Sequence, residues 1–164
     1  MKFRIVKLNQ LSGNKASIYT VYYDDLQKTS LEIFIYQNKN LLLSELNDII
    51  SRLKVIGTKT GAREQYFKIN EGKPGDGVCA LFDRPNKKLR LYCIRYGALI
   101  LIIGGGGHKN VQKLQQNRKL LNENKFLRDL SARIYERIRN KVIWFSENNM
   151  DFEGDLTFND LDDE

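Results

Sequence analysis

Apolar and polar positions alternate over residues 1–8, where Phe3 and Ile5 share a face, and β-formers crowd residues 16–23 (ASIYTVYY). Between them Ser12-Gly13-Asn14 is a turn tripeptide, so the two runs predict an N-terminal β-hairpin. From Ser30 the spacing changes: Leu31, Phe34 and Ile35 fit a helix, although IFIY also fits a strand. Leu42, Leu46, Ile49, Ile50 and Leu53 then mark an amphipathic helix over 41–56, with Gly57 placed to stop it.

Four strand-like runs follow, at 64–70, 77–83, 88–96 and 98–103. They are joined by Gly72-Lys73-Pro74-Gly75-Asp76, by Arg84-Pro85-Asn86 and by the Tyr96-Gly97 step. Links this short connect antiparallel neighbours, which predicts a meander. Residues 98–103 are apolar on both faces and predict a central strand covered from both sides. The four glycines at 104–107 read as a sharp exit turn with left-handed backbone. A helix is predicted over 117–140, with Leu120, Leu121, Phe126, Leu127, Leu130, Ile134 and Ile138 inward. The predicted fold class is α+β, an antiparallel β-meander packed against helices with an added N-terminal hairpin. One domain at 1–144 precedes an acidic C-terminal tail at 145–164.

Charge sharpens this picture. The chain of 164 residues carries a net +7. Residues 1–140 hold 26 Lys and Arg against 12 Asp and Glu, a balance of +14, while residues 141–164 hold one Lys against eight acids, a balance of −7. Such asymmetry predicts a polyanion-binding body with an acidic appendage; the alternative is a basic surface that serves solubility alone. Met150, Phe152, Leu156, Phe158 and Leu161 punctuate the acidic segment. A purely solvating tail has no use for them, so the segment is expected to lie on the body and compete with RNA; the alternative is a disordered tail. The longest apolar run has six residues, where a bilayer needs about 20, so no membrane partner is expected. The N-terminus alternates instead of presenting a signal-peptide block, and two cysteines make no disulfide framework; the expected location is cytoplasmic.

Candidate chemistry is sparse. The glycine run followed by His108-Lys109 lacks the Gly-Lys-[Ser/Thr] of a phosphate loop, and no strand–helix–strand unit surrounds it. It can serve as a turn, or let an RNA phosphate approach bare backbone. One histidine and two cysteines at no zinc-finger spacing predict no metal and no cofactor. If the hairpin turns around Asn86, Cys79 and Cys93 face each other as small core residues. In the strand from Lys88, alternation sets Leu89, Leu91 and Cys93 on one face and Lys88, Arg90 and Tyr92 on the other. A guanidinium, an ammonium and a phenol on one sheet face can grip phosphates, or form an ordinary solvated face.

The stretch FKINEGKPGDGVCALFDRPNKKLRLYCIRYGALILIIGGGGHKN resembles the RelE/HigB-like toxins of bacterial type II toxin–antitoxin systems, across residues 40–140. The shared pieces are the strands at 66–70 and 77–82, the Arg90-Leu91-Tyr92 strand, the apolar strand at 99–103, the His108-Lys109 exit and the helix at 41–56. The family's aromatic-then-Lys-Lys exit is replaced here by Gly-Gly-Gly-Gly-His-Lys. The resemblance implies a metal-independent mRNA endoribonuclease, acting on ribosome-bound mRNA and held by an antitoxin protein. By motif, Arg90 and Lys109 would stabilise the phosphate, His108 would be the acid or base, and Tyr92 would stack or donate a proton. Lys68, Lys88, Arg95 and Arg63 are the further candidate RNA contacts. The other reading is a non-catalytic nucleic-acid- or protein-binding module on the same fold.

Overall fold

The alternating N-terminal run becomes β1 (Phe3–Lys7), antiparallel to β2 (Ser17–Tyr23) in the register Phe3↔Tyr23 to Lys7↔Tyr19. The structure is a computed structural model and describes residues 1–69, 71–82, 87–109 and 114–159. After the two-residue β3 (Lys28–Thr29), a capping box starts α1 (Ser30–Val55). Thr29 Oγ1 accepts from Glu32 N at 3.1 Å, and Glu32 Oε1 accepts from Thr29 N at 3.4 Å. Two otherwise orphaned N–H groups are thereby satisfied, which decides IFIY in favour of helix. A kink at Leu42 (φ −133°, ψ 35°) divides α1.

The helix does not stop at Gly57. It continues as a π-turn over Ile56–Thr60 and ends at Gly61, whose φ is +79°. Gly57 instead serves close packing. A Cβ there would sit 2.0 Å from the Leu11 carbonyl oxygen, so the turn at 11–13 lies directly on its backbone.

The meander forms from β4 (Phe67–Lys68), β5 (Val78–Leu81), β6 (Leu89–Tyr96) and β7 (Ile100–His108), each antiparallel to the next. Cys79 and Cys93 are register partners, both buried and unbridged. The Arg84-Pro85-Asn86 link lies outside the described residues. Helix α2 (Leu114–Arg139) follows, then β8 (Ile143–Phe145), β9 (Phe152–Gly154) and β10 (Thr157–Phe158). One mixed sheet runs β10-β1-β2-β7-β6-β5-β4, with β3 on the end of β2 and a separate β8–β9 ribbon. Among the described residues its one parallel pairing, β2 with β7, fuses the N-terminal hairpin to the meander. An apolar strand needs neighbours on both edges, but its pattern does not say which strand supplies them.

Each face of the sheet carries a core. On one, Phe34, Leu46, Ile49 and Leu53 of α1 meet Ile18, Leu91, Cys93, Leu101 and Ile103. On the other, Leu127, Leu130 and Ile134 of α2 meet Tyr19, Val21, Ile94, Ile100 and Ile102. The second core also contains Ile143, Phe152 and Phe158, so much of the segment read as a tail packs on the sheet. Phe158 stacks on Phe3 at 5.3 Å, and Asp151 accepts from Lys7 Nζ at 2.8 Å and Ser17 Oγ at 3.0 Å. Residues 160–164, with Leu161, lie outside the described residues. Among the described residues no helix is long and apolar enough to cross a membrane.

The four glycines are not an exit turn. They lie inside β7, and the left-handed glycines among the described residues are Gly61, Gly75, Gly77, Gly97 and Gly154. Leu91 pairs with Gly106 and Cys93 with Ile103, so Gly104 and Gly105 together oppose Tyr92 in a β-bulge. Their lack of side chains brings α2 close: a Cβ would lie 2.6 Å from Leu127 Cδ1 at Gly104 and 2.3 Å from Glu123 Oε2 at Gly105.

Candidate nucleic-acid interface

Beyond the bulge, Arg90 pairs with Gly107 and the Lys109 N–H donates to the Lys88 carbonyl at 2.7 Å, carrying the ladder one residue past the end of β7. Gly107 presents its Cα to Lys119 and Leu120 of α2, so by alternation Arg90, Lys88 and Lys109 belong to the α2 side of the sheet. Tyr92 lies on the same side and packs into the α2 core.

Where β6 and β7 run beyond the first turns of α2, an open cleft of about 850 Å³ remains. Lys87, Lys88, Arg90 and Tyr92 form one wall, and His108 and Lys109 the floor. Asn117, Leu120, Leu121 and Asn124 of α2 form the other wall. Among the described residues, four cations and no carboxylate line it. Asn124 is not a loose ligand: its Nδ2 donates to the Glu71 carbonyl at 2.7 Å and ties the 71–77 turn to α2. Glu45 of α1 lies on the far side of the strand, where its Oε1 accepts from Lys88 N (2.8 Å) and Leu89 N (3.2 Å).

His108 lines the cleft, but its strand parity is opposite to that of Arg90. Its register partner is Leu89, an α1-facing core position, and alternation turns the imidazole toward that face and away from Arg90. Lys68 pairs with Ala80, which pairs with Tyr92, so it shares the Tyr92 face two strands away, roughly 10 Å. Arg95 is elsewhere. It pairs with Leu101, five residues or roughly 16 Å along the strand from Arg90. Its Nε donates to the Ala62 carbonyl at 2.6 Å, where Arg63 Nε also donates locally to Thr60 O. Arg95 and Arg63 are therefore not part of the cleft; they brace the turn after α1.

The α2 wall went unassigned in the sequence, although Asn117, Leu120, Leu121 and Asn124 have a helical i, i+3, i+4, i+7 spacing that advertises one face. Leu121, expected inward, is instead exposed on the rim. Neither thiol is available for chemistry, because burial pushes Cys79 up to about 12 and Cys93 well above the ordinary thiol value. Among the described residues no group of three His, Cys, Asp or Glu side chains could hold a metal ion. A second groove, about 540 Å³ between α1 and β5, contains the Arg52–Asp48 ion pair and the Phe82 and Tyr66 rings, without a comparable cluster of described cations. No family model matches the chain, and neither a curated protein nor a solved structure matches it.

Proposed function

We propose that the chain is a toxin-like RNA-binding protein whose α2-side cleft holds an RNA phosphate for metal-independent cleavage of mRNA, in a toxin–antitoxin pair. The observation that carries this reading is the convergence of Arg90, Lys88, Lys87 and Lys109 on one cleft that no described carboxylate lines. Attack of a ribose 2′-oxygen on the adjacent phosphorus breaks the bond to the 5′-oxygen, leaving a 2′,3′-cyclic phosphate and a 5′-hydroxyl. Charge accumulates on the non-bridging oxygens, and Arg90 and Lys109, which both line the cleft, would meet it there. Tyr92 is buried against α2, which suits it to orienting or proton donation more than to base stacking. An antitoxin protein would cover the same cationic cleft.

The placement of His108 supports the second reading, a non-catalytic RNA-binding module. His108 lines the cleft, but its register partner Leu89 faces α1 and its parity is opposite to that of Arg90, and the general acid–base catalysis it would supply is typically worth ~10²–10⁴-fold.

Incubation of the protein with mRNA in excess chelator separates the two. Cleavage that disappears in Arg90→Ala and Lys109→Ala supports the endonuclease, and salt-dependent binding without cleavage supports the module. With four cations and a slope of ~0.7 per phosphate on a single strand, log K should fall against log salt with a slope of roughly 3. Affinity flat with salt would remove both readings.

A further inference from the structure

Away from the cleft walls, one aromatic side chain is placed where a folded core has no use for it. Tyr36 of α1 is 63% exposed, with Lys28 Nζ 5.1 Å and Lys39 Nζ 4.9 Å from its ring centroid. Asn40, also exposed, lies one turn further on the same side of the helix, before the kink at Leu42. A single exposed aromatic is ordinary. An exposed ring with two ammonium groups over it is a different arrangement.

The connection to the cleft runs round the edge of β7. Gln37, next to Tyr36, borders a small cavity with Gly105, Gly106 and Lys119, so this turn of α1 abuts the strand that leads to Lys109. Glu45, beyond the Leu42 kink of α1, accepts from the backbone N–H of Lys88 in the cleft wall. Tyr36, two residues past the inward Phe34, faces away from the sheet, so an RNA strand would reach it by rounding the edge of β7 at Gly106.

We infer that Tyr36, with Lys28 and Lys39, is a second contact for the same RNA, a stacking post that takes a base of the single strand as it leaves the cleft. This rests on the RNA-binding reading above. An exposed cation–π contact is weaker than a base stacked on an aromatic ring, so a base displaces an ammonium from the ring face. The displaced lysine is then within reach of the flanking phosphate. Every base has a π-face, so this contact adds affinity without sequence preference.

The test uses the full chain and fluorescently labelled 2′-O-methyl RNA, which cannot be cleaved through its 2′-oxygen, in lengths of about 4 and about 12 nucleotides. Tyr36→Ala should weaken binding of the longer strand ~5–150-fold and leave the shorter unchanged, while Tyr36→Phe retains wild-type affinity for both. Lys28→Ala with Lys39→Ala should lower the salt slope on the longer strand by ~1.4. Tyr36→Ala that binds the longer strand like wild type, or loses equally on both lengths, overturns the stacking post alone. Wild-type protein that binds neither strand overturns the RNA reading and the post with it.

Discussion

A methyl group added at each of the four consecutive glycines meets a different neighbour, which makes them a graded probe of how β6, β7 and α2 fit together. At Gly106 the new Cβ would lie 1.9 Å from the Arg90 carbonyl oxygen and 3.0 Å from Leu91 Cα, both backbone atoms that cannot rotate away. At Gly104 it would lie 2.6 Å from Leu127 Cδ1, a fully buried side chain with limited freedom to yield. At Gly107 the nearest atom is Lys119 Cδ at 3.4 Å, an ordinary contact with a flexible chain. Overpacking costs about 1–3 kcal/mol, and Gly→Ala returns about 0.4–1 kcal/mol by restricting the unfolded chain. Gly104→Ala should therefore lose about 1–2 kcal/mol, and Gly106→Ala about 3 kcal/mol or more because two strands must separate. Gly107→Ala should be neutral or stabilising by up to about 1 kcal/mol. Urea unfolding followed by circular dichroism reads the series: with a slope of about 2 kcal/mol per molar, a loss of 2 kcal/mol moves the midpoint by about 1 M. Gly106→Ala with the same midpoint as Gly107→Ala would refute the apposition of Gly106 to Arg90, and with it the geometry of the cleft wall.

Phe158 is buried, stacked on Phe3 and lies 3.8 Å beneath the Arg137 guanidinium, so Phe158→Ala should cost about 3–5 kcal/mol and lower Tm by roughly 6–20 °C. An unchanged Tm would mean that the C-terminal strand does not cover this face. Glu123 lies under Gly105, where burial raises its carboxyl above the ordinary value while Lys119, 3.5 Å away, pulls it back. The folded state then holds the proton more tightly than the unfolded chain, so this group's contribution is full below the unfolded value and is lost as pH rises through the folded one. Glu123→Gln should stabilise the protein at neutral pH and lose that advantage in mild acid, as read by denaturation at both; an advantage independent of pH would show that the carboxylate is not desolvated.

The faces of the strands were legible in the sequence because a period of two depends on nothing outside the strand. Lys88, Arg90 and Tyr92 separated cleanly from Leu89, Leu91 and Cys93. The same parity places Arg95 opposite to Arg90, a warning available from the numbering alone. The Thr29–Glu32 capping box was also visible as Thr-x-x-Glu, and it settles the one stretch where helix and strand competed. What a sequence pattern does not carry is the identity of a neighbour. Glycines have no strand preference, and residues 104–107 are strand because β6 pairs with them and α2 leaves no room for side chains.

The C-terminal segment follows the same logic, with a consequence for charge. Strands of two or three residues have no period to read, yet the sheet is wider than α2, and Phe3 and Tyr19 at its β1–β2 side need cover. Phe158 and Phe152 supply it, packing on Phe3 and Tyr19 at ring distances of 5.3 and 5.4 Å. Two of the acids carried along are tied down there: Asp151 by Lys7, Ser17 and Tyr19, and Asp155 at the Arg137 side chain. Their hydrogen bonds hold both carboxyls below the usual carboxylate range. In the sheet order β1 is three strand steps from β6, roughly 14 Å, which exceeds the Debye length of about 8 Å at physiological salt. Asp151 and Asp155 therefore lie at the β1 side of the sheet, beyond a Debye length from the cleft, so these two acids do little to screen its cations.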